Sequence, residues 1–202
     1  MEIGTGWRVL FRCSNSFRIG PRRALRPKFE FRIFVGVNIM FKVVILTISD
    51  RGSKGEREDA SGPLIEEMVK NLPGEVVHYE MIPDEKEKIA EALKKSADQL
   101  KADLILTTGG TGLSPRDVTP DATLKVIEKE VPGFSEAMRA ESLKKTPHAM
   151  ISRAVTGIRG SSLIVNLPGS PKSVRENLNV ILPALPHALS KLKGDPDECG
   201  QG

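Results

Sequence analysis

The sequence predicts a three-layer α/β protein in which a mostly parallel sheet carries helices on both faces, and two observations lead to this fold class. Short runs rich in Val, Ile and Leu alternate along residues 40–194 with stretches whose apolar residues recur at helical spacing. The run over residues 43–48 is apolar at every position except Thr47, as in a strand that is covered on both faces. Residues 40–194 are therefore predicted to form one domain.

Each predicted element follows from its own local pattern. A helix begins near Ser61 because Pro63 suits a first helical turn and apolar residues follow at helical spacing. Pro183 and Pro186 must kink or split the last helix, because proline lacks the N–H that an interior helical residue donates. The polar stretch 49–59 fits a mobile lip over a site and a solvated loop equally well. In chain order, the predicted elements are strand 43–48, the helix near Ser61, strand 76–82, helix 86–100, strand 102–108, a helix from Thr119 to Val131, helix 134–144, strands 151–157 and 162–166, and a final helix.

Residues 1–39 differ from the rest of the 202-residue chain in charge. They contain eight Arg or Lys and two Glu, a net charge of +6, whereas the whole chain has a net charge of +4, so the remaining residues carry −2. We expect residues 1–39 to be a poorly ordered basic leader or an over-long gene start, and residues 195–202 to be a short tail. An organellar transit peptide or a basic arm for nucleic acid or anionic lipid remain alternatives for the leader.

Composition excludes several classes of protein. No apolar run approaches the roughly 18–20 residues of a membrane-spanning helix, so no membrane association is expected. The only two cysteines, Cys13 and Cys199, are too few for a disulfide-stapled secreted fold or a four-ligand zinc site. Because the basic charge belongs to residues 1–39, the predicted domain gives no argument for nucleic-acid binding. A cytoplasmic protein fits these observations best.

A glycine-rich loop follows the strand at 102–108, at the edge where open α/β sheets bind ligands. It runs Thr-Thr-Gly-Gly-Thr-Gly over residues 107–112 and leads through Asp117 to a helix that Thr119 is predicted to cap. Consecutive N–H groups in such a loop can cradle a phosphate, and a helix N-terminus also favours an anion. The loop lacks the terminal Gly-Lys-Ser/Thr of a Walker A motif. We interpret it as a phosphate-binding loop rather than a plain strand-to-helix turn.

A second loop and two carboxylates add to this edge. In the segment Asn-Leu-Pro-Gly-Ser-Pro-Lys at residues 166–172, Ser170 is a good N-cap, and Lys172 lies at a helix start where a cation is unfavourable unless it faces an anion. Asp117 has no predicted capping role, which favours Mg²⁺ binding or catalysis. Asp84 is ambiguous, because Asp-Glu-Lys-Glu at residues 84–87 also matches a capping box. Two such aspartates would suit Mg²⁺ together with substrate phosphates.

Taken together, these motifs resemble those of the molybdenum-cofactor biosynthesis family, most closely its molybdopterin adenylyltransferases. They occur in the family's order over roughly residues 41–193, and the glycine loop with its Arg-Asp-Val-Thr-Pro-Asp-Ala-Thr tail is the most specific. The matching segments are Ile-Ser-Asp-Arg at 48–51, Asp-Ala-Ser-Gly-Pro at 59–63, Ile-Pro-Asp-Glu at 82–85, the glycine loop at 107–112, Pro-Arg-Asp-Val-Thr-Pro-Asp-Ala-Thr at 115–123, Pro-Gly at 132–133, Gly-Ile-Arg-Gly-Ser at 157–161 and the loop at 166–172.

The resemblance implies a reaction and a set of site residues. The terminal phosphate of molybdopterin, a dithiolene pterin, would attack the α-phosphorus of Mg·ATP, with ATP as co-substrate, giving adenylyl-molybdopterin and pyrophosphate. Asp84 and Asp117 would be the catalytic residues and the Mg²⁺ ligands. The nucleotide would contact Asp50, Thr108, Gly109, Gly110, Thr111 and Gly112, and the pterin side would contact Ser161, Pro168, Gly169, Ser170, Pro171 and Lys172.

The resemblance also implies partners and one rival function. A homotrimer is expected, with transient handover of the product to a molybdotransferase. The alternative is a non-catalytic molybdopterin-binding carrier or scaffold domain of the same fold. The presence of both aspartates and the complete glycine loop favours the enzyme. The related pyrophosphatase-like domain of competence-damage proteins is expected to lack the run at residues 116–121.

Overall fold

Residues 40–195 are described by the structure, a computed structural model, and they build one six-stranded sheet. The strand order is β2-β1-β3-β6-β5-β4. The first four of these strands run parallel, whereas β5 and β4 are antiparallel additions at one edge. The strands are β1 (Phe41–Ile48), β2 (Gly74–Ile82), β3 (Leu104–Thr108), β4 (Lys129–Glu130), β5 (Thr156–Arg159) and β6 (Ser162–Leu167).

The uninterrupted apolar character of β1 results from burial on both of its faces. Val43 and Ile45 belong to one apolar cluster, and Val44 and Leu46 belong to another on the opposite face of the sheet. The edge strand β2 instead alternates between exposed and partly buried residues. Helices therefore cover both faces of the central strands, which confirms the predicted three-layer architecture.

Within residues 40–195, six of the seven helices contribute apolar side chains to one of these two layers. The first cluster contains residues of α2, α5, α6 and α7, and the second contains residues of α3 and α4. Leu178 on α6 and Leu93 on α3 are completely buried, and each such burial stabilises the fold by about 1.5–3 kcal/mol. The helices are α1 (Asp50–Ser53), α2 (Ser61–Val69), α3 (Lys86–Lys94), α4 (Thr119–Val126), α5 (Pro132–Leu143), α6 (Pro171–Ile181) and α7 (Leu185–Leu192).

The predicted elements are confirmed in the parallel half of the sheet and partly wrong in the antiparallel half. The last helix is split into α6 and α7, as Pro183 and Pro186 predicted. The strand predicted at 151–157 is wrong, because Pro147–Ile151 forms a 3₁₀ turn and β5 begins at Thr156. The helix predicted to reach Val131 ends at Val126, because Ile127 has extended backbone that leads into β4.

Two smaller differences concern local helical structure. The polar stretch 49–59 contains the short helix α1, in which the Gly52 amide donates to the hydroxyl of the N-cap residue Ser49 at 3.1 Å. The helix predicted over residues 86–100 is present, but its last part, Lys95–Gln99, is a π-helical turn. The predictions for residues 1–39 and 196–202 lie outside the described residues. Between residues 40 and 195, no helix combines the length and apolarity that crossing a bilayer requires.

Candidate functional site

A cleft of about 370 Å³ opens at the carboxyl ends of the parallel strands. This is the edge at which the sequence placed the candidate loops, because parallel strands present their C-terminal loops on the same side. The walls come from four loop regions, those that follow β1, β2, β3 and β6. The lining residues are 47–49, 52 and 57–61 from the end of β1 and its loop, Met81 and Asp84 from the end of β2 and its loop, 108–110 and 117 from the end of β3 and its loop, and 169–171 after β6.

Direct hydrogen bonds join the loops that follow β3 and β6. The Thr108 hydroxyl donates to the carbonyl of Pro168 at 2.8 Å, and the Gly109 amide donates to the carbonyl of Leu167 at 3.3 Å. A Cβ atom built on Gly169 would lie only 3.2 Å from the Cα atom of Gly109. The two glycines thus allow a backbone-to-backbone approach that bulkier residues would oppose.

The glycine loop has a backbone conformation that L side chains rarely adopt. Gly109 has φ of +102° and Gly110 has φ of +62°, and a Cβ atom on Gly109 would collide with the carbonyl oxygen of Ile48. Thr119 does not cap α4, contrary to the prediction. Its buried hydroxyl donates to the carbonyl of Gly109 at 2.9 Å, and its amide donates to the carbonyl of Gly110 at 3.1 Å. Thr119 therefore anchors the loop itself.

Asp50 and Asp84 are joined by a reciprocal pair of hydrogen bonds. The Asp50 amide donates to Asp84 Oδ2 at 2.8 Å, and the Asp84 amide donates to Asp50 Oδ1 at 3.0 Å. Burial, together with the nearby negative charge of Asp50, raises the pKa of Asp84. The Arg116 guanidinium binds Asp50 through Nε and Nη2 at 2.7–3.0 Å and lowers the pKa of that carboxyl. The two carboxylates therefore have opposite electrostatic environments.

The capping role considered for Asp84 is absent from the structure. Glu85 is the N-cap residue of α3, and its side chain makes no capping bond. Asp117 caps no helix, as predicted: the N-cap residue of α4 is Val118, which makes no side-chain capping bond, and Asp117 Oδ2 instead accepts the amide of Ser114 at 2.8 Å. Asp117 thus closes a turn of its own loop while its side chain remains within the cleft lining.

Asp84 and Asp117 are the predicted ligands of a divalent cation. Both line the cleft, and the charge of Asp117 contributes to the raised pKa of Asp84. Such a concentration of negative charge is favourable when a cation lies beside it. Within residues 40–195 no cluster of three or more His, Cys, Asp or Glu forms a complete protein cage for a metal ion. This donor set fits Mg²⁺, which commonly uses one or two carboxylates and completes its shell with substrate oxygens and water.

The loop that follows β6 forms the opposite wall of the cleft. Ser170 caps α6 as predicted, since its hydroxyl accepts the amide of Ser173 at 3.2 Å, and Pro171 is the first helical residue. Gly169, Ser170 and Pro171 line the cleft. Pro168 is held through its carbonyl by Thr108, and Lys172 follows on the first turn of α6, where it is exposed.

Ser161 is the one predicted site residue that the structure separates from the others. It lies in the turn between β5 and β6, immediately before β6 begins at Ser162, whereas the cleft lies beyond the other end of that strand at Leu167. A six-residue strand spans roughly 20 Å. The prediction that groups Ser161 with Ser170 in one pocket is therefore not supported by the geometry of this chain. Thr111 and Gly112 continue the glycine loop but do not line the cleft.

Asp59 is a cleft residue that the sequence reasoning missed. Its carboxylate accepts four hydrogen bonds, from the Thr47 hydroxyl at 2.6 Å, the Tyr79 hydroxyl at 2.5 Å, and the amides of Ser61 and Gly62 at 2.8 and 3.1 Å. Burial raises the pKa of Asp59, but these bonds outweigh burial and keep it below the usual range. Burial and the bond to Asp59 raise the pKa of Tyr79 to about 12. An Asp two residues before a helix start is a recognisable capping signal.

Arg153 is a second residue that was missed, and it has no local sequence signal. Its side chain and amide bond to the carbonyls of Thr111, Gly112 and Asp117 and to the carboxylate of Asp121. These partners lie 32 to 42 residues earlier in the chain, so only the folded structure brings them together.

Comparison with known proteins gives a consistent set of similarities. The family model described as a probable molybdopterin binding domain matches residues 44–187. A molybdopterin adenylyltransferase of Helicobacter pylori strain J99 is 48% identical over 153 residues, which covers 75% of this chain and 87% of that protein. Gephyrin of Dictyostelium discoideum is 46% identical over 76% of this chain and 23% of its own length. The crystal structure of the molybdopterin biosynthesis enzyme MoaB of Thermus thermophilus matches with 53% identity and a TM-score of 0.74, over 79% of this chain and 100% of that one.

Proposed function

Because this chain belongs to the molybdenum-cofactor biosynthesis family and is, like its curated relatives, a molybdopterin adenylyltransferase, we propose that its cleft performs the reaction with Mg·ATP. An oxygen of the molybdopterin phosphate attacks the α-phosphorus of ATP. The new P–O bond forms as the bond to the β-phosphate oxygen breaks, and pyrophosphate leaves. The observation that carries this proposal is the convergence of Asp84, Asp117 and the glycine loop, with its two positive-φ glycines, on one cleft.

The chain's own groups position the reactants and compensate their charge, which are the main requirements of nucleotidyl transfer. The glycine loop offers close backbone approach beside the loop that follows β6, so the nucleotide is assigned to residues 108–110 and the pterin side to residues 169–171. Asp50, Thr111 and Gly112 extend the nucleotide side, and Pro168 and Lys172 extend the pterin side.

Charge balance supports a requirement for Mg²⁺. The cleft lining contains four carboxylates, on Glu58, Asp59, Asp84 and Asp117, and one cationic side chain, Arg57. Two phosphate-bearing substrates would meet a net negative wall. Mg²⁺ held by Asp84 and Asp117 would neutralise phosphate charge at the reacting centre.

Other proposals rest on the family resemblance. We propose a homotrimer in the cytoplasm that hands its adenylylated product to a molybdotransferase. The non-catalytic carrier or scaffold remains the competing function, and it requires pterin binding without turnover.

The decisive experiment is to mix the purified protein with Mg·ATP and fresh molybdopterin and to detect adenylyl-molybdopterin and pyrophosphate by mass spectrometry. We expect product from the native chain and a loss of roughly 100-fold or more in Asp117→Asn and Asp84→Asn. Glu130→Gln is the matched control, because Glu130 is an exposed carboxylate on β4 that does not line the cleft. Tight pterin binding without product would support the carrier, and absence of both would refute the assigned substrate.

A further inference from the structure

Arg153 joins the two limbs of the glycine loop. The first limb contains residues 109–113, and the second contains residues 115–118, which lead to α4. On the first limb, its amide donates to the carbonyl of Thr111 at 2.9 Å and its Nε donates to the carbonyl of Gly112 at 3.1 Å. On the second limb, Nη2 donates to the carbonyl of Asp117 at 2.7 Å, and it also donates to Asp121 Oδ2 in the first turn of α4 at 2.6 Å. One residue therefore holds both the segment that follows the glycines and the backbone of Asp117 itself.

The loop needs such a restraint because its own sequence is flexible. Three glycines in four residues leave the chain many competing conformations, and two of them have positive φ. Thr119 fixes the beginning of the loop through Gly109 and Gly110, and the Ser114–Asp117 turn closes its tip. Within the described residues, the hydrogen bonds that connect residues 111–113 of the first limb to residues 117–118 of the second limb are all made through Arg153.

Arg153 does not line the cleft, and its side-chain nitrogens bond to the loop backbone and to Asp121. We propose that Arg153 is a positioning residue, which holds the glycine loop and the Asp117 backbone in the geometry that binds Mg·ATP. The assignment rests on the proposed function. The planar guanidinium, with several donors in a fixed fork, is suited to this role, whereas lysine offers a single ammonium that cannot reach three acceptors on both limbs.

The chain offers a matched control in Arg159. This residue also binds one carboxylate, that of Asp98, and one backbone carbonyl, that of Val126. It lies on β5 next to the turn at the amino end of β6, and it does not line the cleft. Arg153→Lys and Arg159→Lys therefore remove comparable sets of guanidinium hydrogen bonds. The first set lies at the glycine loop, and the second lies at a site that the proposed reaction does not use.

The test uses the full-length chain and three measurements on both variants: thermal melting, steady-state adenylylation, and hydrogen exchange of peptides that cover residues 109–118. We expect both variants to melt within about 3 °C of the native chain. Arg153→Lys should lower kcat and raise KM for Mg·ATP, so that kcat/KM falls about 10- to 100-fold, the usual effect of losing an outer supporting group. It should also accelerate exchange at residues 109–118 and leave KM for molybdopterin within about twofold. Arg159→Lys should change none of these values.

Each discordant outcome overturns the assignment. Equal activities of the two lysine variants would reduce Arg153 to a structural contact, and an activity loss without faster exchange would show that the loop is held by other groups.

If the native chain proves inactive, the proposed function fails independently. Exchange at residues 109–118 and binding of Mg²⁺ with a non-hydrolysable ATP analogue, measured by calorimetry, then decide the role of Arg153. Unchanged exchange or unchanged binding in Arg153→Lys would refute it.

Discussion

Asp50 and Asp84 donate their backbone amides to each other's carboxylates at 2.8 and 3.0 Å, so two acidic side chains share one corner of the cleft. Arg116 compensates Asp50 directly and leaves Asp84 as the group with the raised pKa. A carboxylate held in this state is costly for the empty protein and is well placed to meet a cation. At this residue, stability and the proposed activity therefore oppose each other.

Replacement of Asp84 by Asn should change the thermal stability of the protein in a pH-dependent way. Because the folded-state pKa of Asp84 is raised, its stabilising contribution is complete below the unfolded pKa of about 3.9 and is lost as pH rises through the folded value. At pH 7, Asp84→Asn should therefore melt roughly 1–3 °C higher than the native chain, and this advantage should disappear near pH 4. Thermal melts between pH 4 and pH 8 in chelator measure the difference.

Asp50→Asn provides the opposite case within the same pair. The bond to Arg116 lowers the pKa of Asp50, so its contribution is present above the unfolded pKa and decreases as pH falls through the lower folded value. This variant should melt slightly below the native chain at pH 7. An Asp84→Asn variant that is less stable than the native chain at pH 7 would contradict the electrostatic account of the pair.

The sequence predicted the residues of this corner better than their bonds. Asp84 and Asp117 were identified by their positions after strands and by the family resemblance, and both line the cleft. The capping motif at residues 84–87 left the role of Asp84 open, because such a motif shows which polar groups are available and not which partner each one binds. Glu85 is the N-cap residue of α3, and the Asp84 carboxylate instead accepts the amide of Asp50, which lies 34 residues away in the chain.

At the scale of elements, the glycine loop between β3 and α4 depends most on residue type. Gly109→Ala combines φ of +102° with a Cβ atom against the Ile48 carbonyl, so either the loop or the end of β1 must move. We expect a loss of about 1–3 kcal/mol in the free energy of unfolding and a much weaker affinity for Mg·ATP. Urea denaturation and calorimetry measure these two effects.

Gly133→Ala is the matched control for this prediction. Gly133 lies in the first turn of α5, and a Cβ atom built there meets no atom within 4 Å. The substitution should be neutral or stabilise the protein by up to about 1 kcal/mol, because alanine has the better helix propensity. If both alanine variants unfold at the same urea concentration, the positive φ and the nearby Ile48 carbonyl do not restrict residue 109 to glycine.

The elements that were predicted poorly are those whose existence depends on distant pairing. β4 has only two residues, Lys129 and Glu130, and it exists because these pair with Ile158 and Gly157 across an antiparallel ladder. No local period could have revealed it. In contrast, β1, β3 and β6 are specified by continuous burial, and that leaves a clear apolar run in the sequence.

At the scale of the whole molecule, the two apolar clusters account for the fold of residues 40–195. All of their buried members lie between Phe41 and Leu189. The start of β1 is also held from within this region: the Lys42 amide donates to Asp103 Oδ2 at 2.8 Å, and the Phe41 amide donates to the carbonyl of Pro73 at 2.8 Å. Both of these bonds join β1 to residues that follow it in the chain.

Deletion of residues 1–39 should accordingly leave the domain intact, with a melting temperature within about 2 °C of the full chain and adenylylation unchanged within about twofold. A longer deletion, of residues 1–43, removes the buried side chains of Phe41 and Val43 and should lower stability by more than about 3 kcal/mol. Thermal melting and product formation, measured on both variants beside the full chain, separate the two cases. A large loss in the shorter deletion would show that residues 1–39 contribute to the fold or to the cleft, because that variant keeps every residue of both clusters.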